Sequence, residues 1–276
     1  MTKRERWKNT TSMRNQLPRR SRRLSRAAGL LSVVVLFPAI PTAFARILRT
    51  IPPPSATWNP LVPFTIGSGV EFETNREQTQ IDFPMFVEYN YSDKLKFTVE
   101  PNFTYIAAKT KGVRTVGGFA DLETSVEYEF LRERRYRPGL TILPGIKWPT
   151  ATDPDIGSPG RDYLIGLIAS KDLGFVDVDL AATYTSVGDP QEQDTLEVVL
   201  AADWHVNRRF DVEAEVVRTI GAGGGPRGAP GVDMTEGTLG VAWHISKRLK
   251  VEHGATLRSD GTWQLVWAWE FSFTGD

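Results

Sequence analysis

The sequence has no cysteine, only three histidines and, beyond its first 45 residues, no apolar run long enough for a membrane helix. The lack of cysteine excludes a disulfide framework and a thiolate metal site, and it is compatible with an oxidising periplasm. The histidines have no short ligand spacing, so we expect no metal site and no cofactor. The sequence also contains no G-x-S-x-G motif, so we expect no enzymatic activity of the elbow-type hydrolase class.

The formal net charge of +0 conceals a segregation of charge along the chain. Residues 1–45 hold ten basic residues and one acid, which leaves about −9 on the remainder. The basic start, the apolar run over 27–40 and the triplet Ala43-Phe44-Ala45 are typical of a secretory signal peptide over 1–45. The sequence leaves open a start at Met1 or at Met13. An acidic mature chain disfavours nucleic acid as a partner.

Residues 46–63 are rich in proline, which favours neither strand nor helix, and we interpret them as a periplasmic lead-in. The chain then changes to an alternating pattern. In the final stretch, 262–273, every second residue is large and apolar: Trp263, Leu265, Trp267, Trp269, Phe271 and Phe273. Val266 alone breaks the alternation. This period of two predicts a strand with one apolar and one polar face, and about ten such residues, tilted, span a bilayer.

Similar alternating stretches recur about twelve times between 64 and 273, an even number as single-chain bacterial barrels have. The connections alternate between tight turns and longer loops, and aromatic residues cluster near the strand ends. The pattern predicts an all-β fold: a transmembrane antiparallel β-barrel of outer-membrane type over 64–273, with a tail over 274–276. A soluble β-sandwich is the alternative, but it has no reason to sort its loops or its aromatic residues in this way.

The positions opposite the apolar set are rich in ionisable residues, with acids in excess. The candidates for lining the barrel lumen are Glu71, Asp82, Glu88, Lys96, Glu100, Glu127, Lys147, Asp203, Glu215, Glu252, Arg258 and Glu270. About twelve strands indicate a narrow lumen. The acidic excess predicts attraction of cations and neutral solutes over anions. An alternative interpretation is that these acids pair with the fewer bases as structural ladders.

One part of the chain resembles a known family. The motifs are Gly118-Phe-Ala-Asp121-Leu122, Lys147-Trp-Pro149-Thr150, Gly157-Ser-Pro-Gly160-Arg-Asp162 and Tyr184-Thr-Ser-Val-Gly188. They are similar to motifs of the outer-membrane transporter family named for the MetA pathway of phenol degradation, with alanine at Ala120 and Ala151 where the family has glycine. Glu127 stands where that family has lysine. The resemblance implies a barrel related to channels for hydrophobic and aromatic compounds.

We therefore expect a channel or transporter in the bacterial outer membrane, for passive uptake or efflux of small solutes. The expected partners are outer-membrane lipid, the barrel-assembly machinery and a small-molecule solute. A barrel with a structural or surface-interaction role and a lipid-modifying barrel enzyme are the alternatives. The loop over 149–161, which separates two of the resembling motifs, is expected to fold into or over the pore because long loops carry function.

Overall fold

The computed structural model describes residues 63–75, 78–109, 114–190, 192–221 and 233–273. The predicted signal peptide over 1–45, nearly all of the lead-in over 46–63 and the tail over 274–276 lie outside these residues and stay predictions. The elements of the described part are β-strands. None of its residues belongs to a helix with the length and apolarity that crossing a membrane requires.

Fourteen strand segments form one antiparallel sheet. They are β1 (Phe64–Thr74), β2 (Gln78–Asn90), β3 (Leu95–Glu100), β4 (Asn102–Ala108), β5 (Val116–Phe119), β6 (Leu122–Leu131), β7 (Gly139–Trp148), β8 (Asp162–Asp172), β9 (Val176–Ser186), β10 (Thr195–Asn207), β11 (Phe210–Ile220), β12 (Met234–His244), β13 (Leu249–Arg258) and β14 (Trp263–Phe273). Because β1 pairs with both β2 and β14, the sheet closes into a barrel.

Two of the barrel's strands are each built from two segments. β3 and β4 keep one register against β2, and they are separated by Pro101, which has no N–H to donate to the ladder. β5 and β6 are separated by Ala120 and Asp121. Counted in this way the barrel has 12 strands, which confirms the number predicted from the sequence.

The interruption between β5 and β6 is a β-bulge. Phe103 pairs with Phe119 in one half, whereas Glu100 pairs with Glu123 in the other, so the register changes by one residue. A bulge re-aims the side chains that follow it. After the bulge, the odd-numbered residues of β6 face the interior, as the buried Glu127 and Glu129 show. Asp121 is buried too and follows the same alternation, so it lies on the interior face.

The outer face of the barrel is apolar and the inner face is largely polar, the reverse of a soluble domain. Leu200 of β10 is 53% exposed, while the next residue, Ala201, is 4% exposed. The same alternation runs through β8, β9, β11 and β14. Val266, which breaks the apolar alternation of the last strand, is buried on the inner side. A lipid bilayer is the environment in which an apolar outer face of this extent is stable.

The connections alternate between the two ends of the barrel, and those of eight residues or more all lie at one end. The short-turn rim carries 91–94, 132–138, 173–175, 208–209 and 245–248, of which 132–138 is an exception in length. The long-loop rim carries 75–77, 109–115, 149–161, 187–194, 221–233 and 259–262, of which 75–77 and 259–262 are short exceptions. Aromatic rings pair at the short-turn rim, where Phe64 packs on Tyr89 at 4.8 Å and Phe210 stacks on Trp243 at 6.0 Å between ring centroids. Each such pair stabilises by about 0.5–1.5 kcal/mol beyond the area that it buries.

Two strands begin earlier than the apolar pattern predicts. β5 starts at Val116 and β12 at Met234, whereas the pattern places the first apolar residues of these strands at Leu122 and Leu239. Glycine and threonine occupy much of the added length and give no alternating apolar signal. Backbone pairing to the neighbouring strand, which a sequence pattern does not report, extends both strands.

Candidate functional site: the barrel interior and its long-loop end

The interior face concentrates acidic side chains. Among the described residues, the buried ionisable side chains are all acids with the exception of Lys96: Asp82, Asp121, Glu127, Glu129, Asp162, Asp177, Asp179, Asp211, Glu213, Glu215 and Glu252. Partly buried bases accompany them on the same face. So many carboxylates close together are stable only where they contact bases, other polar groups or water.

The predicted lumen-lining residues all lie on this face by the alternation of their strands. Five of them are fully buried: Asp82, Lys96, Glu127, Glu215 and Glu252. The others are partly buried: Glu71, Glu88, Glu100, Lys147, Asp203, Arg258 and Glu270. That these residues line a path for solute stays a prediction.

Lys96 joins three neighbouring strands across the interior. Its Nζ lies 3.0 Å from Glu88 Oε1 on β2 and 2.8 Å from Glu127 Oε1 on β6. The lysine side chain is only 2% exposed. Removing one partner of a buried pair costs about 3–5 kcal/mol, because it leaves a charge uncompensated. Glu127, the residue at which the chain departs from the family motif, therefore has a structural partner.

Similar contacts occur on the part of the wall formed by β12, β13, β14 and β1. Lys250 Nζ lies 2.6 Å from Glu252 and 3.2 Å from Glu270. Arg258 lies 3.6 Å from Glu73 and 3.4 Å from a further glutamate on β12. Structural ladders of the kind considered from the sequence are thus present. Together with the pairs of Arg132, Lys147 and two histidines, ion pairs reach at least six of the eleven buried acids.

The interior is not charged throughout. Ile168, Ala181, Val199, Ala201 and Val217 form a buried apolar cluster on β8 to β11, and Leu143 of β7 packs against it. On β9, β10 and β11 the acids Asp177, Asp179, Asp203, Asp211, Glu213 and Glu215 all lie on the short-turn side of this cluster. The wall formed by these strands is therefore acidic toward one rim and apolar toward the middle.

At the long-loop rim, Asp121 holds the loop 149–161. Its Oδ1 accepts hydrogen bonds from the backbone N–H groups of Thr150 and Ala151, both at 3.0 Å, and its Oδ2 accepts one from Ser158 at 2.6 Å. The Thr150 hydroxyl in turn accepts a hydrogen bond from Leu122 N at 2.9 Å. Because Asp121 points inward, these bonds draw both ends of the loop toward the interior.

Two glycines allow the loop to pack closely. A Cβ on Gly118 of β5 would lie 2.0 Å from Thr152 Oγ1, and one on Gly157 would lie 2.1 Å from the Cβ of Ala151. Both distances are far below any real carbon contact. The two positions therefore require glycine as long as the loop keeps this path.

The other residues of the family resemblance join the same assembly. Lys147 forms an ion pair with Asp162, whose Oδ1 accepts a hydrogen bond from Gly188 N at 2.8 Å. The backbone of Gly188 also packs on Gly160, and Pro149 follows directly after β7. The structure therefore brings together Gly118, Asp121, Lys147, Pro149, Thr150, Gly157, Gly160 and Asp162, although they are spread over 45 positions in the sequence.

Sequence reasoning missed two features, one at each end of the barrel. Arg114, just before β5, forms ion pairs with Asp153 and Asp155 of the loop, across an intervening hairpin. His205, His244 and three aspartates meet near the short-turn rim. Neither has a local signal, because strand pairing alone makes these residues neighbours.

The short-turn rim itself is tied by Arg132, which follows β6. Its guanidinium donates a hydrogen bond to Asp93 in the neighbouring turn and lies 3.5 Å from Glu129. The hydrogen bond from Arg132 holds the pKa of Asp93 below its usual value. This contact links the first two turns at this end of the barrel.

Fold and interior together define an outer-membrane-type β-barrel with a polar, mainly acidic interior. Among solved structures, the chain is similar to the COG4313 outer membrane channel from Pseudomonas putida F1, at 13% identity and a TM-score of 0.64, over 77% of this chain and 96% of that one. It is also similar to the NanC porin, at 11% identity and 0.54 over 76% and 100%, and to the KdgM porin in complex with disordered oligogalacturonate, at 9% and 0.53 over 75% and 99%. These likenesses show the fold. No family model matches the chain, and no curated protein matches it.

Proposed function

We propose that this protein is a passive channel of the bacterial outer membrane for small neutral or cationic solutes. The observation that carries the proposal is the closed barrel in which nearly all buried ionisable side chains are acids. A purely structural barrel has no need of unbalanced charge inside. Acids along a low-dielectric wall raise the local concentration of cations and lower that of anions.

The proposed solutes include hydrophobic and aromatic compounds. The proposal places the chain in the outer-membrane transporter family named for the MetA pathway of phenol degradation. Its support is that the residues carrying the resemblance converge on one assembly, built on Asp121 and the loop 149–161.

That loop is the proposed constriction of the channel. It is fixed at both ends to an inward-pointing carboxylate, and Arg114 holds its middle through Asp153 and Asp155. Three hydrogen bonds to one carboxylate restrain both ends of the loop. The lumen-lining role of the interior residues listed from the sequence belongs to the same proposal, with outer-membrane lipid and the barrel-assembly machinery as the partners needed for insertion.

The solved structures that share the fold are described as channels and porins, which supports transport over catalysis. The proposal therefore includes no enzymatic activity and no cofactor. A structural barrel without transport is the second candidate, favoured by the ladders around Lys96 and Lys250. The two candidates differ in ion conductance.

The test is a planar bilayer experiment with the mature protein under a KCl gradient. A cation-selective reversal potential is expected because of the acidic interior. Glu215→Gln, a buried interior change, should shift the reversal potential toward zero, whereas Asp233→Asn, at the exposed long-loop rim, should leave it almost unchanged. Anion selectivity would contradict the proposed charge effect, and the absence of any conductance would favour the structural barrel.

A further inference from the structure

Five potential metal ligands meet on the interior face close to the short-turn rim. Asp177 lies near the start of β9 and Asp211 near the start of β11. Asp203 and His205 lie near the end of β10, and His244 is the last residue of β12. Asp203 pairs directly with Asp177, and His205 pairs directly with Asp211. Because the four strands are consecutive in the barrel, all five side chains point into one small region.

Three of the five side chains are within ligand distance of one another. One ligand atom from each of Asp203, His205 and Asp211 lies within 4.8 Å of the other two. His205 Nδ1 is 3.1 Å from Asp211 Oδ1, and His205 Nε2 is 3.2 Å from Asp177 Oδ2. His244 Nε2 contacts the second oxygen of Asp211.

We propose that this cluster is a binding site for a divalent transition-metal ion of the zinc type. His205 Nδ1, His244 Nε2 and carboxylate oxygens of Asp203 and Asp211 are the ligands. Asp177 positions the His205 ring by accepting a hydrogen bond from Nε2–H of His205, on the side of the ring away from the proposed metal. The site rests on these contacts alone and does not depend on the proposed channel activity.

The hydrogen-bonding pattern of His205 is compatible with a cation here. Both ring nitrogens face carboxylates, which either a protonated imidazole or a neutral imidazole with a metal ion on Nδ1 satisfies. A metal ion on Nδ1 satisfies that nitrogen while Nε2–H donates to Asp177. In metal sites, the other nitrogen of a ligating histidine usually donates to a carboxylate or a carbonyl, and that acceptor forms the second layer of the site.

An orphaned oxygen of a proposed ligand gives a second, independent indication. Asp203 Oδ1 is buried, and it has no hydrogen-bond donor within the part of the chain that the structure describes. An unsatisfied buried acceptor costs about 1–3 kcal/mol, and more when charged. A bound cation would satisfy this oxygen.

The ligand types and spacings select the metal. Zinc binds nitrogen at about 2.0–2.1 Å and oxygen at about 2.0–2.2 Å in a tetrahedron, whose ligands then lie about 3.3–3.5 Å apart. The contact of 3.1 Å between His205 and Asp211 needs little adjustment. Two imidazoles disfavour calcium and magnesium, which prefer oxygen ligands alone. Both histidine side chains are 38% exposed, so an ion can reach them.

The test measures zinc binding by the untagged mature barrel, folded in detergent, by calorimetry and by metal analysis after dialysis. We expect one zinc ion per chain. His205→Gln and Asp211→Asn should weaken binding at least 10-fold, and Asp177→Asn about 10- to 100-fold, as second-layer changes do. His253→Gln is the matched control, because His253 lies on the outer face against Trp267. Heat modifiability on a gel verifies that each variant folds.

Cobalt binding to the wild-type barrel gives a readout that needs no variant. A four-coordinate nitrogen and oxygen site should produce visible absorption bands that zinc abolishes by displacement. The proposal is overturned if these bands are absent, if zinc does not bind, or if Asp211→Asn binds zinc as tightly as His253→Gln does. Loss of binding in the cluster variants alone, with retained folding, supports it.

Discussion

Replacing Asp121 with asparagine is expected to detach the loop 149–161 from the barrel interior. Asparagine keeps one acceptor oxygen for Thr150 and Ala151 but places an NH₂ group against the N–H of Ser158. A hydrogen bond to a charged group contributes about 1.5–3 kcal/mol and a neutral one about 0.5–1.5 kcal/mol. One bond lost and two weakened give about 3.5–6 kcal/mol, and hydration of the released amides at the rim reduces this to about 2–3 kcal/mol.

That change in free energy raises the open population of the loop about 30- to 150-fold, at 1.4 kcal/mol for each factor of ten. Trypsin can report it, because Arg161 lies at the end of the loop with its guanidinium 5.3 Å from the centre of the Trp148 ring. Cleavage after Arg161 tracks the open population while opening is faster than cleavage. Single-channel conductance of the same variant should rise, because the proposed constriction loses its anchor.

Asp155→Asn is the matched control for this prediction. Asp155 belongs to the same loop, but its side chain is exposed, and its ion pair within the described residues is with Arg114, at 3.6 Å. An exposed pair contributes about 0–1 kcal/mol. Equal cleavage rates and equal conductance for Asp121→Asn, Asp155→Asn and the wild type would refute the conclusion that Asp121 holds the loop.

Two further changes test the packing of the interior. Gly118→Ala should shift the loop and raise trypsin cleavage, because the new Cβ meets a side chain of the loop. Gly237→Ala is the control: its new Cβ meets no atom of the described residues within 4 Å, so urea unfolding should show no change or a stabilisation of about 0.4–1 kcal/mol. Lys96→Met should lower the free energy of unfolding by about 3–5 kcal/mol, because it leaves the buried Glu127 and the partly buried Glu88 without their lysine. Replacing those glutamates with glutamine in the same chain should restore much of the loss, and an unchanged stability of the single variant would contradict the pairing.

The sequence predicted much of the architecture because the side-chain period of a strand is local. Trp267 and Trp269 of the last strand show it: each is exposed, and the residue between them is buried. The loop over 149–161 was singled out from its length and from the motifs on either side of it. The signal peptide and the terminal tail stay predictions, since they lie outside the described residues.

The bulge before Asp121 could not be predicted in the same way. Its existence depends on the register of β4 and β3 against β5 and β6, and one extra residue there reverses the direction of every side chain that follows. The histidine and aspartate cluster was missed for a related reason. His205 and His244 are far apart in the chain, and only the pairing of β10 with β11 and of β11 with β12 brings them to one carboxylate.

The sequence by itself determined a barrel with an apolar outer face and an acidic inner one, because alternation along each strand fixes which residues share a face. Tertiary structure decided which of the inner residues meet. Lys96 lies between Glu88 and Glu127, Asp121 binds a loop that begins 28 residues later, and Asp211 lies between two histidines. Those contacts follow from strand register and barrel closure, which are properties of pairs of strands and are not written in any one of them.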